Sequence, residues 1–116
     1  MTLLTKDQIL AASDIKTEEV HVPEWGGTVR VSTMTGEARD RFESACVTDD
    51  GKANVSNVRA KLVASSIVDE DGRLMFTDAD IEQLGHKSAA ALDRVFEVAQ
   101  RLSRVSASDV EDLAKN

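Results

Sequence analysis

Leu92, Val95, Phe96, Ala99 and Leu102 recur three or four residues apart between Ser88 and Ser103. That spacing lines one face of a helix, and Glu97 and Arg101 stand four apart where opposite charges support the same helix. An apolar stripe of this length has to be covered by a second apolar surface. The chain offers one between residues 18 and 33, where the period changes to two. Val20 and Val22 alternate with Glu19 and His21, and Val29, Val31 and Thr33 alternate with Arg30 and Ser32, as in two half-buried strands. Pro23-Glu24-Trp25-Gly26-Gly27 lies between them. It supplies a donor-free residue that closes a ladder and two glycines able to take positive φ, which suits a wide hairpin.

The remaining segments read as shorter helices. Thr5 and Gln8 form a capping box ahead of Ile9 and Leu10, which predicts a short first helix over 5–12. Thr35 caps a second, with Ala38, Phe42, Ala45 and Cys46 at helical spacing, Glu37 and Arg41 paired on its outer face, and an end at Asp49-Asp50-Gly51. Val55, Val58, Leu62, Val63 and Ser66 describe one face of a third. Asp69-Glu70-Asp71-Gly72 ahead of Leu74-Met75-Phe76 predicts a tight turn or tiny hairpin. Thr77 caps a short acidic helix carrying Ile81 and Leu84, stopped at Gly85. Ser108-x-x-Glu111, with Val110 and Leu113, is a last marginal helical turn. The expected fold class is therefore α+β, mostly helical with about five helices, and one small antiparallel hairpin or sheet. No repeat or Pro/Gly-rich linker divides the 116 residues, so one domain is expected over 1–116, with 1–4 and 106–116 flexible or marginally ordered.

Composition narrows the partners. A net charge of −7 without a local basic cluster disfavours nucleic acid and anionic membranes. No apolar run approaches the roughly 20 residues that span a bilayer, and the start lacks a signal-peptide pattern. A single cysteine fits a reducing compartment. The expected location is the cytosol, and the expected ligand a protein.

The candidate chemical sites fail on spacing. If Gly72 takes the glycine position of a calcium loop, the first ligand position falls on Ile67, which has no oxygen to give. His21 and His86 have no ligand or base partner at a working distance in sequence. Cys46 shares a helix face with Phe42 and reads as a small core residue. No Gly-x-Ser-x-Gly or Ser-x-x-Lys frames a nucleophile. No catalytic, metal or cofactor site is expected, and an enzyme is disfavoured. Trp25, at the loop tip, reads either as a lid on the core or as an anchor for a partner.

Two segments, VPEWGGTVRVSTMTGEARDRFE (Val22 to Glu43) and IVDEDGRLMFTDADIEQLGHKSAAALDRVFEVAQRLS (Ile67 to Ser103), read together resemble the tail assembly chaperones of long-tailed (siphovirus-type) bacteriophages and prophages. The order of parts carries the resemblance: a strand pair into a Thr-Gly-Glu helix start, an Asp-Gly turn, Phe-Thr-Asp-x-Asp, a Leu-Gly stop and a Leu-Asp-Arg-Val-Phe helix. The resemblance implies a protein of the host cytoplasm that binds the tape measure protein in multiple copies and keeps it soluble. It implies release as the tail tube polymerises, absence from the mature virion, and self-association. It also implies that a frameshifted longer form, where one exists, recruits the tail tube protein.

The family brings no catalytic residues to transfer. A holding protein needs a soluble body and exchangeable apolar patches. The hydrophobics left over by the clear helices and strands are Leu3, Leu4, Ile9 and Leu10 at the front, Trp25 in the loop, and Val105, Val110 and Leu113 at the back. These are the candidate partner-binding residues. The competing reading is an acidic inhibitor or antitoxin-like protein that covers a basic protein surface one-to-one.

Overall fold

The computed structural model describes residues 2–47, 50–52 and 56–105. Its helices are α1 (Lys6–Ala11), α2 (Gly36–Ala45), α3 (Val58–Ala64), α4 (Ile81–Gly85) and α5 (Ala89–Ser103). Its strands, β1 (Thr17–Val22), β2 (Gly27–Ser32) and β3 (Ile67–Val68), form one antiparallel sheet in the order β1-β2-β3. The chain is thus α+β and mostly helical, as its periodicities imply. Two helices begin where the sequence reading places a cap, at Thr5 and Thr35, and α5 begins on a further one at Ser88. Thr5 Oγ1 accepts from the Gln8 amide at 3.2 Å, while Gln8 Oε1 accepts from the Thr5 amide at 2.9 Å. Thr35 and Ser88 accept from the amides of Ala38 and Ala91, each at 3.1 Å, so α2 and α5 start on satisfied donors.

β1 and β2 pair from Thr17↔Ser32 to Val22↔Gly27. One further bond sets the phase of this ladder. The Thr33 amide donates to the Lys16 carbonyl at 2.8 Å, which makes Lys16–Thr33 a hydrogen-bonded pair. Alternation then makes Glu18–Val31, Val20–Val29 and Val22–Gly27 hydrogen-bonded as well. Thr17, Glu19 and His21 point their backbone groups the other way. The Ser32 amide gives an independent check, since it donates to Ser66 on the β3 side at 2.8 Å.

α5 is the centre of the packing, touched by β1, β2 and α3. Val22, Val31, Phe42, Leu62, Val63, Ile67, Val95 and Ala99 are buried around it, and Val20, Val29, Phe96 and Leu102 pack against them half-buried. The inner sheet face carries Val20, Val22, Val29 and Val31, so the period-two stripe covers the period-3.6 stripe.

Four details depart from the sequence reading. The Asp-Gly segment is the tiny hairpin expected: Asp69 donates to Arg73 at 2.8 Å, Met75 to Ile67 at 3.1 Å, and Gly72 takes φ +80°. Yet its first strand also pairs with β2 through Arg30↔Val68 and Val31↔Ile67. Two residues are too few to show a period, so this third strand had no sequence signal. Arg101 bonds Glu18 of β1 rather than Glu97, because packing α5 across the sheet offers a carboxylate that an isolated helix lacks. In α2 the ion pair among the described residues is Arg39–Glu43, at 2.9 Å, in place of Glu37 with Arg41; Arg39 also donates to the Ser103 carbonyl. Finally, the second helix stops at Ala45, short of the acidic run.

Candidate interaction surface

Residues 2–15 form an arm ahead of the sheet. None of the six residues of α1 is buried, and the arm carries Leu3, Leu4, Ile9 and Leu10 at 81%, 68%, 57% and 73% exposure, with Ile15 at 45%. On the rest of the described chain only Met75 is a comparably exposed large hydrophobic. Helices this short are marginal in water, and this one has the reciprocal Thr5–Gln8 cap and little packing to hold it. The arm is therefore a preformed apolar turn displayed to solvent, next to Lys6, Asp7 and Gln8.

The other candidate residues are placed differently. Trp25 is half-buried against the core at the end of a 3-10 turn, Pro23–Trp25, closed by Gly26 at φ +73°. The neighbouring Glu24 accepts from Arg94 Nε of α5 at 2.9 Å, so the loop is tied down and Trp25 covers the core with one side while showing the other. The Arg94 hydrogen bond holds the Glu24 carboxyl below its ordinary pKa.

Val105 is only 4% exposed, so it is not the free surface that its position outside the helix suggested. The cause is a helix stop without glycine. Arg104 takes the left-handed conformation at φ +53°, and the Val105 amide donates to Gln100 at 3.0 Å. This Schellman arrangement turns the residue after the left-handed position back against the helix. Val110 and Leu113 lie outside the described residues.

The polar candidates have structural occupations. Asp69 Oδ1 accepts from the amides of Asp71 and Arg73 at 2.8 and 3.1 Å, so this carboxylate braces the hairpin turn. Among the described residues no three of His, Cys, Asp and Glu gather as a metal site would require. Cys46 is fully buried, and burial pushes its thiol pKa up, away from the thiolate that a nucleophile needs. No helix among the described residues is long and apolar enough to cross a membrane.

Comparison with known families decides between the protein-binding readings. The profile of the phage tail assembly chaperones matches residues 5–116. The chain belongs to that family. The solved structure of the bacteriophage HK97 tail assembly chaperone superposes with a TM-score of 0.59 at 23% identity, covering 86% of this chain and 94% of that one; at that identity the likeness is one of fold. No curated protein matches the chain by sequence. A chaperone family fits a binding role in tail assembly, as the resemblance implied, and fits a role without catalysis.

Proposed function

We propose that this tail assembly chaperone works in the host cytoplasm, holding the tape measure protein in soluble form through its N-terminal arm. Several copies act along one client and leave as the tail tube polymerises, so that none remains in the virion. A frameshifted longer form, where one exists, would bring in the tail tube protein.

The observation that carries this reading is the arm, four large apolar side chains exposed beside an acidic body. Burying a Leu or Ile contributes about 1.5–3 kcal/mol, so four give roughly 6–12 kcal/mol before costs. Association costs about 4–15 kcal/mol in lost freedom and ordering. One arm on one site is thus close to break-even. That suits a client that must later be surrendered, and it makes several copies along one client the way to hold it firmly. The net charge of −7 keeps the loaded complex dispersed. The acidic-inhibitor reading is weaker, because Glu18, Glu19, Glu24, Glu43 and Asp93 already engage arginines of the chain itself.

The test is co-expression with the tape measure protein of the same phage. The wild-type chain is expected to keep that protein in the soluble fraction and to co-elute in several copies. A variant with Leu3, Leu4, Ile9 and Leu10 all replaced by Ser is expected to stay folded and leave the client in the pellet. Equal solubilisation by both would remove the arm from the account, and failure by the wild type would remove the function.

A further inference from the structure

The start of α2 and the end of α5 enclose an open cleft of about 330 Å³, lined by residues 33–36 on one side, 102–104 on the other, and Arg39. Two hydrogen bonds hold the sides together: the Met34 amide donates to Ser103 Oγ at 2.9 Å, and Arg39 Nη1 donates to the Ser103 carbonyl at 3.1 Å. The apolar part of the lining is Met34, buried, and Leu102, half-buried. The charged part is cationic. Arg39 and Arg104 line the cleft and no carboxylate does, in a chain of net charge −7. The groove over the outer sheet face, by contrast, sets Glu19, Asp69, Glu70 and Asp71 against Arg30. Arg39 is engaged with Glu43. Arg104 is exposed and has no partner among the described residues, although it holds a left-handed conformation that disfavours every side chain larger than glycine. An arginine in that position gains when its guanidinium meets an anion.

We propose that the chain's own segment after Val105 folds back into this cleft, setting Val110 and Leu113 against Met34 and Leu102 and its carboxylates around Arg104. Three observations select this occupant. The first is position. Residues 106–116 lie outside the described residues, and the chain enters them at the cleft itself: Arg104 lines it, and the next residue, Val105, donates its amide back to Gln100 at 3.0 Å. The stretch from 106 to 113 spans at most about 26–29 Å, ample reach for a cleft that begins beside its first residue. The second is charge. Residues 106–116 carry Asp109, Glu111 and Asp112 against Lys115, an excess of negative charge opposite in sign to the cleft. The arm also starts beside this cleft, since Lys16 and Thr33 exchange backbone bonds, but it balances Lys6 and Lys16 against Asp7 and Asp14 and brings no excess charge. The third is pattern. The segment interleaves acids with Val110 and Leu113, so the ion pairs fix its position while the apolar pair supplies the burial. Val110 and Leu113 are then used within the molecule, and the arm is left as the apolar surface open to a client.

This inference concerns the chain alone and is independent of the client-binding reading. The test is disulfide trapping in the full chain with oxidised glutathione. Gly36 lines the cleft and has open space where a Cβ would stand, so Gly36→Cys places a thiol there without a clash. Ala114→Cys supplies the second thiol and spares both Val110 and Leu113. This pair is expected to close within one chain roughly tenfold faster, or more, than Gly36→Cys with Ala11→Cys on the arm, because docking raises the effective concentration of the two thiols. Cys46, the native thiol, is buried and stays out of the reaction. Adding Asp109→Asn, Glu111→Gln and Asp112→Asn preserves the reach of the segment and is expected to remove most of that advantage. Arg104→Gly keeps the helix stop, because glycine favours the left-handed position. It is expected to slow closure about two- to fivefold, the loss of one exposed ion pair, and added salt acts in the same direction. Closure no faster than with the arm, a rate indifferent to the neutralised acids, or a disulfide-linked dimer in place of the closed monomer would each overturn the proposal. Should the cysteine chains fail to fold, the amide resonances of Gly36, Arg39 and Arg104 decide it. They are expected to differ between the wild type and the chain with the three acids neutralised, and coincident resonances would overturn it as well.

Discussion

The arm and the body are built by opposite rules. In the body every helix puts its apolar residues against another element, and α5 alone buries Ala91, Leu92, Val95 and Ala99. In the arm, α1 has its best-formed feature in a polar cap and buries none of its residues. The body's hydrophobics stabilise the fold; the arm's are kept out of it. Leu3, Leu4, Ile9 and Leu10 are exposed, whereas among the described residues the leucines and isoleucines of the body are buried or half-buried, and the proposed client contact rests on that contrast.

The sharpest way to break this contrast is to truncate one leucine in each region. Leu62 is completely buried, so Leu62→Ala is expected to cost about 2–5 kcal/mol, from lost transfer energy plus the cavity left behind. Leu10→Ala, at 73% exposure, is expected to fall within about 0.5 kcal/mol of wild type. Denaturant titration of both variants checks this. An arm residue that destabilises like a core residue would mean that the arm packs on the body in solution.

The body also contains one group that works against it. Ser66 is fully buried, and its Oγ has no hydrogen-bond partner, although its amide donates to Val63 at 3.1 Å. A buried unsatisfied hydroxyl costs about 1–3 kcal/mol. Ser66→Ala is therefore expected to stabilise the protein by about 1 kcal/mol, after allowing for the small space left, and to raise the melting temperature. A lower melting temperature would show that the hydroxyl has a partner.

How far the sequence revealed these regions depends on whether a feature has a period. The stripe of α5 and the alternation of β1 and β2 extend over enough residues to be read directly, and the caps at Thr5 and Thr35 fixed two helix starts. β3 is two residues long and exists because β2 offers Arg30 and Val31 as partners, a relation across nearly forty positions that no local pattern contains. The arm residues were found by subtraction, as hydrophobics without an assigned place. Subtraction works only when every buried position has been recognised, and Val105 shows its limit. Its burial rests on Arg104 adopting a left-handed conformation that sequence rules expect of glycine. The Glu18–Arg101 bond was hidden for the same reason as β3, since the helix offered Arg101 a closer carboxylate in sequence than in space.

The contrast extends to how each region responds to losing a polar contact. In the arm, Thr5→Ala removes the hydroxyl that accepts from Gln8, a loss of about 1 kcal/mol to the helix. Because α1 is not part of the cooperative core, that loss is expected to stay local. Amides of residues 8–11 should exchange faster with solvent, while the melting temperature holds. A fall in melting temperature matching the cap energy would mean that arm and body unfold together.

The corresponding contact in the body is Glu24 to Arg94, which ties the Trp25 loop to α5. The pair is exposed, so its removal by Arg94→Ala is expected to have the smallest effect of the set. Its pH dependence nonetheless has a definite sign. The Arg94 hydrogen bond lowers the Glu24 pKa in the folded state, so the folded protein binds this proton less readily than the unfolded chain. The pair's contribution is therefore complete above the unfolded glutamate value of about 4.3. It is lost as pH falls through the lower folded value. Wild type and Arg94→Ala should differ slightly in melting temperature at neutral pH and converge in acid. Tryptophan emission reports the same event, because Trp25 is the chain's single tryptophan. Releasing Glu24 should shift Trp25 emission towards that of a solvated indole, and acid should do the same to the wild type. An emission maximum unmoved by both would show that the core contact of Trp25, and not the ion pair beside it, holds the loop in place.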